Sequence, residues 1–123
     1  MGKYYELGEK ELEFARIVWE NEPIASGELV KLCEEKLRWK KSTTYTVLKK
    51  LCNIGYFENS DSIVTSRISH EKYRSMNSHA FVLNAFSGSL PSFLAAFVRE
   101  KRLSRKEIED LKKLIDEHEE EYR

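Results

Sequence analysis

The stretch that most restricts the fold runs from Trp39 to Phe57, WKKSTTYTVLKKLCNIGYF. Val47, Leu48, Leu51 and Ile54 recur at helical spacing, so one face of this segment belongs in a core. Ser42 is the expected N-cap, a hydroxyl placed to accept an orphan N–H of the first turn. Gly55 stands where a helix C-terminus needs a residue free to take positive φ. Tyr56-Phe57 then open an extended segment. Between Lys36 and Phe57 the charged residues are Lys36, Arg38, Lys40, Lys41, Lys49 and Lys50, with no acid among them.

A helix with lysines before its start, hydroxyls on its first turn and a strand behind it suits a DNA major groove. In this reading Lys40, Lys41, Ser42, Lys49 and Lys50 contact phosphates. Thr43, Thr44, Tyr45 and Thr46 face base edges, favouring thymine methyls and mixed acceptors over bidentate guanine. Taken alone, such a lysine cluster is a solvated face, and the hydroxyls only start a helix. The flanking segments decide between these readings.

Residues 9–21 place Leu12, Ala15, Val18 and Trp19 on one helical face, widened by Phe14 and Ile17. Glu9 and Glu11 suit the positive end of that helix. Residues 22–25, Glu-Pro-Ile-Ala, break it and leave room for a short strand. Ser26 is the expected cap of a second helix over 27–37, with Leu29, Leu32, Cys33 and Leu37 as its buried stripe. After Arg38-Trp39-Lys40 comes the lysine-flanked helix, so the pair forms a helix-turn-helix. Residues 56–69 read as a hairpin: a strand over 56–59, a turn at Ser60-Asp61-Ser62, and a β-branched strand over 63–68. Three helices and a hairpin make a winged helix. Arg67 is the wing's only basic residue and a candidate DNA contact; with so little basic charge the wing either contributes little or reaches phosphate through Ser60, Ser62 and Thr65.

From Ser69 the chain changes character. A helix over 71–86 is interrupted by Ser87-Gly88-Ser89, and Pro91 suits the first turn of the next. Leu90, Phe93, Leu94, Phe97 and Val98 follow at helical spacing. The last helix opens with Ser104-Arg105-Lys106-Glu107, a capping-box pattern, and carries Ile108, Leu111, Leu114 and Ile115. With Phe81 and Phe86 added, this is more apolar face than three helices hide among themselves, and a second copy is the economical cover. The expected architecture is mostly α with a small β-hairpin: a winged helix-turn-helix DNA-binding domain over 1–70 and a helical dimerisation region over 71–123.

Composition narrows the function. The net charge is zero, with acids crowding residues 6–35 and 116–121 and the middle left basic. A local basic patch suffices for phosphate contacts, while a neutral whole predicts modest non-specific affinity. No run approaches transmembrane length and MGKYYELGEK lacks a signal-peptide core, so a cytoplasmic protein without membrane insertion is expected. Cys33 and Cys52 read as small buried residues. His70, His79 and His118 show no metal spacing, and no Gly-rich phosphate loop, nucleophile elbow or metal-ligand motif appears. Neither catalysis, a metal nor a cofactor is expected. Trp19 and Trp39 read as packing residues.

These residues together resemble the penicillinase-repressor family of winged-helix regulators (the BlaI/MecI/CopY group). Leu7, Glu11, Leu12, Trp19 and Glu20 are similar to its first-helix signature. Thr44-Tyr45-Thr46-Val47-Leu48-Lys49-Lys50-Leu51 followed by Gly55 is similar to its recognition helix. The segment 92–98, then Leu103-Ser104 and Glu107-Ile108, is similar to its dimerisation helices. The resemblance implies a homodimeric repressor on a palindromic double-stranded DNA operator, often of a β-lactamase or other resistance gene. It further implies a membrane sensor-protease as partner, and induction by a cut in the dimerisation helix, classically between Asn and Phe. The matching pair here is Ala96-Phe97, without the Asn. The copper-responsive branch carries a C-terminal cysteine cluster, and residues 99–123 hold no cysteine. Two other readings stand beside this one. One is a winged-helix protein-interaction module, favoured by the neutral charge and the Asp61-bearing wing. The other is an effector-responsive regulator with Phe81, Phe86, Phe93 and Phe97 lining a ligand pocket.

Overall fold

The computed structural model describes residues 4–122. The outermost ends of the two expected domains, residues 1–3 and 123, lie outside that range, as does the start of the N-terminal sequence read above. The chain forms two compact units, the first running to Ala80 and the second starting at Phe81. The division falls inside a helix, not at the 70/71 boundary expected from sequence, because Tyr73 and Met76 pack on the first unit's core. Among the described residues no single helix is long and apolar enough to cross a membrane.

The first unit contains α1 (Glu9–Asn21), β1 (Ile24–Ala25), α2 (Ser26–Leu37), α3 (Lys41–Asn53), β2 (Phe57–Ser60) and β3 (Ile63–Ser66), followed by the first part of α4 (His70–Phe86). This is the winged helix-turn-helix order. The hairpin is not alone: β1 adds to it, giving a three-stranded antiparallel sheet in the order β1-β3-β2, with Ile24 opposite Val64 and Phe57 opposite Ser66. The Glu22 carboxylate ties this edge together, accepting the Ser66 N–H at 2.7 Å and the Ser66 hydroxyl at 2.8 Å.

The core fills between helices and sheet with Phe14, Val18, Leu29, Cys33, Leu48, Leu51, Phe57 and Val64, all buried. Trp39, in the turn of the helix-turn-helix, lies parallel to Phe14 at 5.7 Å, and Trp19 donates its indole N–H to Ile68 O at 3.0 Å. Both tryptophans are therefore packing residues. That turn is closed by Arg38 in the left-handed region (φ 60°), which lets the Trp39 N–H reach back to Cys33 O. A non-glycine there carries a steric cost. Gly55 takes φ 89°, and Tyr56 N–H returns to Leu51 O at 3.0 Å, a Schellman-type end to α3.

Two expected caps are corrected. The N-cap of α3 is Lys40 and that of α2 is Ala25, neither with a side-chain bond, so Ser42 and Ser26 lie inside their helices. Ser26 is buried and accepts the Tyr45 hydroxyl at 3.1 Å. The hairpin is tighter than expected: Ser60 is the last residue of β2, and the turn is Asp61-Ser62 alone, both with positive φ (50° and 64°). That pair of signs is the two-residue hairpin turn whose twist matches the strands. The second strand ends at Ser66, short of Ile68.

The second unit holds the end of α4, α5 (Leu90–Glu100) and α6 (Arg105–Glu120). Ser89 caps α5 by accepting the Ser92 N–H, with Pro91 in its first turn. Ser104 and Glu107 close the expected capping box on α6. Phe86 and Phe93 meet edge to face at 5.5 Å, yet neither α5 nor α6 buries a single residue.

Candidate nucleic-acid interface

Helix α3 lies on α2 and β2 through its Thr44, Leu48 and Leu51 face, which is buried. The opposite face carries Ser42, Thr43, Thr46, Lys49 and Asn53, all exposed. Positions 42, 46, 49 and 53 are spaced by four, three and four residues, so they form one stripe along the helix. Lys40 and Lys41 stand exposed at its N-terminal end, where the helix also presents backbone N–H groups and the positive end of its dipole. Hydroxyls, a carboxamide and ammonium groups along one stripe offer donors and acceptors to base edges and phosphates.

Three expected contacts are placed differently. Thr44 has no exposed surface at all. A side chain without accessible surface cannot reach a base edge, so it leaves the set. Its hydroxyl lies beside the Cys33 thiol, whose pKa burial pushes up and that hydroxyl pulls down, but Thr44 Oγ1 makes no hydrogen bond of ordinary geometry. Lys50 is turned toward α1: its ammonium sits 2.7 Å from Glu11 Oε2 and 5.1 Å from the centre of the Tyr5 ring. The Glu11 and Tyr5 contacts raise the Lys50 pKa above the ordinary lysine value. Lys50 thus pairs its charge with Glu11 while its side chain stays about half exposed. Arg67 follows β3 and its guanidinium is 3.8 Å from Glu58, with both side chains exposed.

Glu11 is a junction. It accepts from Lys50, from the Gly8 N–H at 2.9 Å and from the Tyr5 hydroxyl at 3.0 Å. Partial burial pushes its pKa up, but the Lys50, Gly8 and Tyr5 bonds outweigh that and hold the carboxyl below its usual range. The same N-terminal segment is fastened by Tyr56, whose hydroxyl accepts the Tyr5 N–H and donates to Tyr5 O, and by Tyr73, which accepts the Leu7 N–H.

Tyr45 is half-buried, with its hydroxyl engaged by Ser26, and lines a recess of about 350 Å³. Leu48, Lys49, Cys52 and Asn59 complete that recess. Burial pushes the Cys52 thiol up, despite a backbone bond at Asn59. Asn53 and Asn59 are not among the contacts expected from sequence. Asn53 follows Thr46 by seven residues and Lys49 by four, a spacing that places it on the stripe; Asn59 reaches α3 only through the hairpin.

The residues expected at a dimer contact lie in the second unit in one of two states. Phe86, Phe93, Leu94 and Leu111 are half-buried against neighbouring helices. Phe81, Phe97, Val98, Ile108, Leu114 and Ile115 are exposed, Leu114 to 63%. Ala96-Phe97, the pair expected at a cleavage position, lies within α5, where Phe97 O accepts the Lys101 N–H at 3.0 Å.

Comparison with known proteins places this geometry. The solution structure of the DNA-binding domain of the repressor BlaI superposes with a TM-score of 0.54 at 23% identity, covering 59% of this chain and 94% of that one, which agrees with the winged-helix fold. The penicillinase repressor of Bacillus licheniformis is 27% identical over 122 residues, covering 96% of this chain and 95% of its own length. The methicillin resistance regulatory protein MecI of Staphylococcus aureus (strain Mu50 / ATCC 700699) is 23% identical over 118 residues, covering 93% and 96%. The profile described as "Penicillinase repressor" matches residues 7–117, most of the length, and on that match this chain belongs to the penicillinase repressor family.

Proposed function

We propose that the protein is a homodimeric DNA-binding transcriptional repressor acting in the cytoplasm, with α3 in the major groove of a palindromic operator. The observation that carries this reading is the exposed stripe Ser42, Thr46, Lys49 and Asn53 on the second helix of a helix-turn-helix, with no acid on α3. Thr43 and Thr46 read base edges, the half-buried Tyr45 adds its exposed part, and Lys40, Lys41, Ser42 and Lys49 hold phosphates. Arg67 supplies a weaker wing contact in competition with Glu58.

The second unit serves as the dimer contact. Helices that bury nothing in one chain, while leaving Phe81, Leu90 and Leu114 more than half exposed, gain most from a second copy. Two-fold symmetry then sets two α3 helices against two half-sites. The names of the relatives support a resistance gene of β-lactamase type as the target. Proteolytic induction by a membrane sensor-protease at Ala96-Phe97 is the finer form of this reading. Because that bond lies within a hydrogen-bonded helix, a cut there needs α5 to open locally.

A selection from random DNA at two salt concentrations tests the reading. A palindromic consensus with half-sites about one helical turn or more apart is expected. If no sequence is enriched at either salt, α3 serves a protein partner. The neutral net charge and the acid-bearing hairpin turn favour that second reading.

A further inference from the structure

We propose that the cleft between α1 and the first two turns of α4 binds a small organic anion, a carboxylate or a phosphate ester, on Arg16 and Arg74. The cleft has a volume of about 390 Å³ and is lined by Leu12, Arg16, His70, Tyr73, Arg74 and Asn77. Leu12 and Arg16 are one turn apart on α1, and the four α4 residues follow at i, i+3, i+4 and i+7, so two helix faces meet over it. That volume lies within the range of small-molecule sites.

The polar chemistry of the cleft is that of donors. Arg16 and Arg74 each carry a forked guanidinium, and among the described residues neither takes part in an ion pair. No carboxylate lines the cleft; Glu13, the nearest acid to Arg16 in sequence on its N-terminal side, pairs with Lys10 at 3.5 Å. The Asn77 Oδ1 accepts from Tyr4, which leaves its amide N–H groups, and the Tyr73 hydroxyl accepts the Leu7 N–H at 2.8 Å. Two guanidiniums on one cleft repel each other until an anion bridges them, and planar forks match carboxylate or phosphate oxygens. The walls favour an organic body over a bare ion. Leu12 and the Tyr73 ring supply apolar surface, and His70 is held parallel to Trp19 at 4.4 Å and 7°, with the Trp19 indole fixed in turn on Ile68 O. The cleft uses no residue of α2, α3 or the hairpin, so it is separate from the stripe assigned to DNA.

The test is a titration of the ¹⁵N-labelled full chain with phenyl phosphate, phenylacetate and inorganic phosphate, followed by NMR. Saturable shifts of the Arg16 and Arg74 side-chain N–H and Trp19 indole signals are expected for at least one organic probe, at an affinity on the order of millimolar for a ligand of about eleven heavy atoms. Phenyl phosphate against phenylacetate distinguishes the two headgroups. Arg16→Gln and Arg74→Gln, both at exposed positions, are each expected to weaken that binding at least about fivefold with the spectrum otherwise preserved. No saturable shift with either organic probe, shifts unchanged in both variants, or shifts confined to Lys40, Lys41 and Lys49 overturn the site. A separate arm addresses DNA phosphate. On non-specific duplex the two variants are expected to leave the salt slope unchanged, whereas a slope lower by about 0.9 per arginine marks a backbone contact and overturns the proposal.

Discussion

Thr44→Val separates the two roles that residue can hold. The side chain is fully buried in the first part of α3 and its hydroxyl makes no ordinary hydrogen bond. Burying a hydroxyl without a partner costs about 1–3 kcal/mol in protein mutational data. The neighbouring Cys33 thiol is a weak partner that offsets only part of this. Valine has nearly the same shape and a similar helix propensity, so the substitution removes the penalty and opens no cavity. A gain of about 1 kcal/mol is expected. With a urea m-value of about 1 kcal/mol/M for a small domain, the midpoint rises by about 1 M. The assay is urea unfolding followed by tryptophan fluorescence at one fixed protein concentration, since a dimer's stability depends on concentration. Operator affinity, measured in parallel, is expected to stay within twofold of the parent. A loss of stability would mean that the hydroxyl is satisfied, and a loss of base preference would mean that it reaches DNA. Either result refutes the burial reasoning.

Other perturbations probe the remaining parts. Glu11→Gln releases Lys50 toward solvent; one more available ammonium is expected to steepen the salt dependence of non-specific DNA binding by about 0.9 in log K against log salt, and an unchanged slope would show that Lys50 cannot reach phosphate. The same carboxyl predicts a pH effect. Its folded pKa is depressed, so the stability it contributes is complete above its ordinary value of 4.5 and is lost as pH falls through the lower folded value. The parent's acid limb in a denaturation series should therefore be steeper than that of Glu11→Gln, and parallel limbs would contradict the junction. Leu114→Glu alters a residue 63% exposed in one chain, so it is expected to leave the monomer's helicity intact while shifting sedimentation toward monomer; a persistent dimer would place the contact elsewhere. Tyr45→Ala is expected to relax base preference in the DNA selection, whereas Tyr45→Phe loses only the bond to Ser26, at about 1 kcal/mol of stability. Unchanged preference in Tyr45→Ala would remove that residue from the readout.

Much of the architecture is local and was therefore legible in the chain. Apolar spacing marked α1, α2 and α3 because a helix repeats its face every 3.6 residues whatever it packs against. Gly55 at φ 89°, Pro91 in the first turn of α5 and the Ser104–Glu107 capping box each act within a few residues of their own position. The second unit's surplus of apolar face could also be read, since it follows from composition along three helices.

What tertiary structure decided depends on residues far apart. Consecutive positions on a helix differ by about 100° in direction, so Thr43, Thr44, Tyr45 and Thr46 could not all face one groove. Thr44 precedes Leu48 by four residues and Leu51 by seven, which marks it as inward, but its polarity points the other way. Only the packing of α3 on α2 and β2 settles that conflict, and burial prevails. Lys50 looks like a surface lysine until Glu11, 39 residues earlier, is brought to 2.7 Å. Arg16 and Arg74 belong to different helices and share a cleft only once α4 lies against α1. Periodicity and capping depend on short-range geometry that the chain carries with it. Charge pairing, hydroxyl satisfaction and clefts depend on which distant surfaces meet.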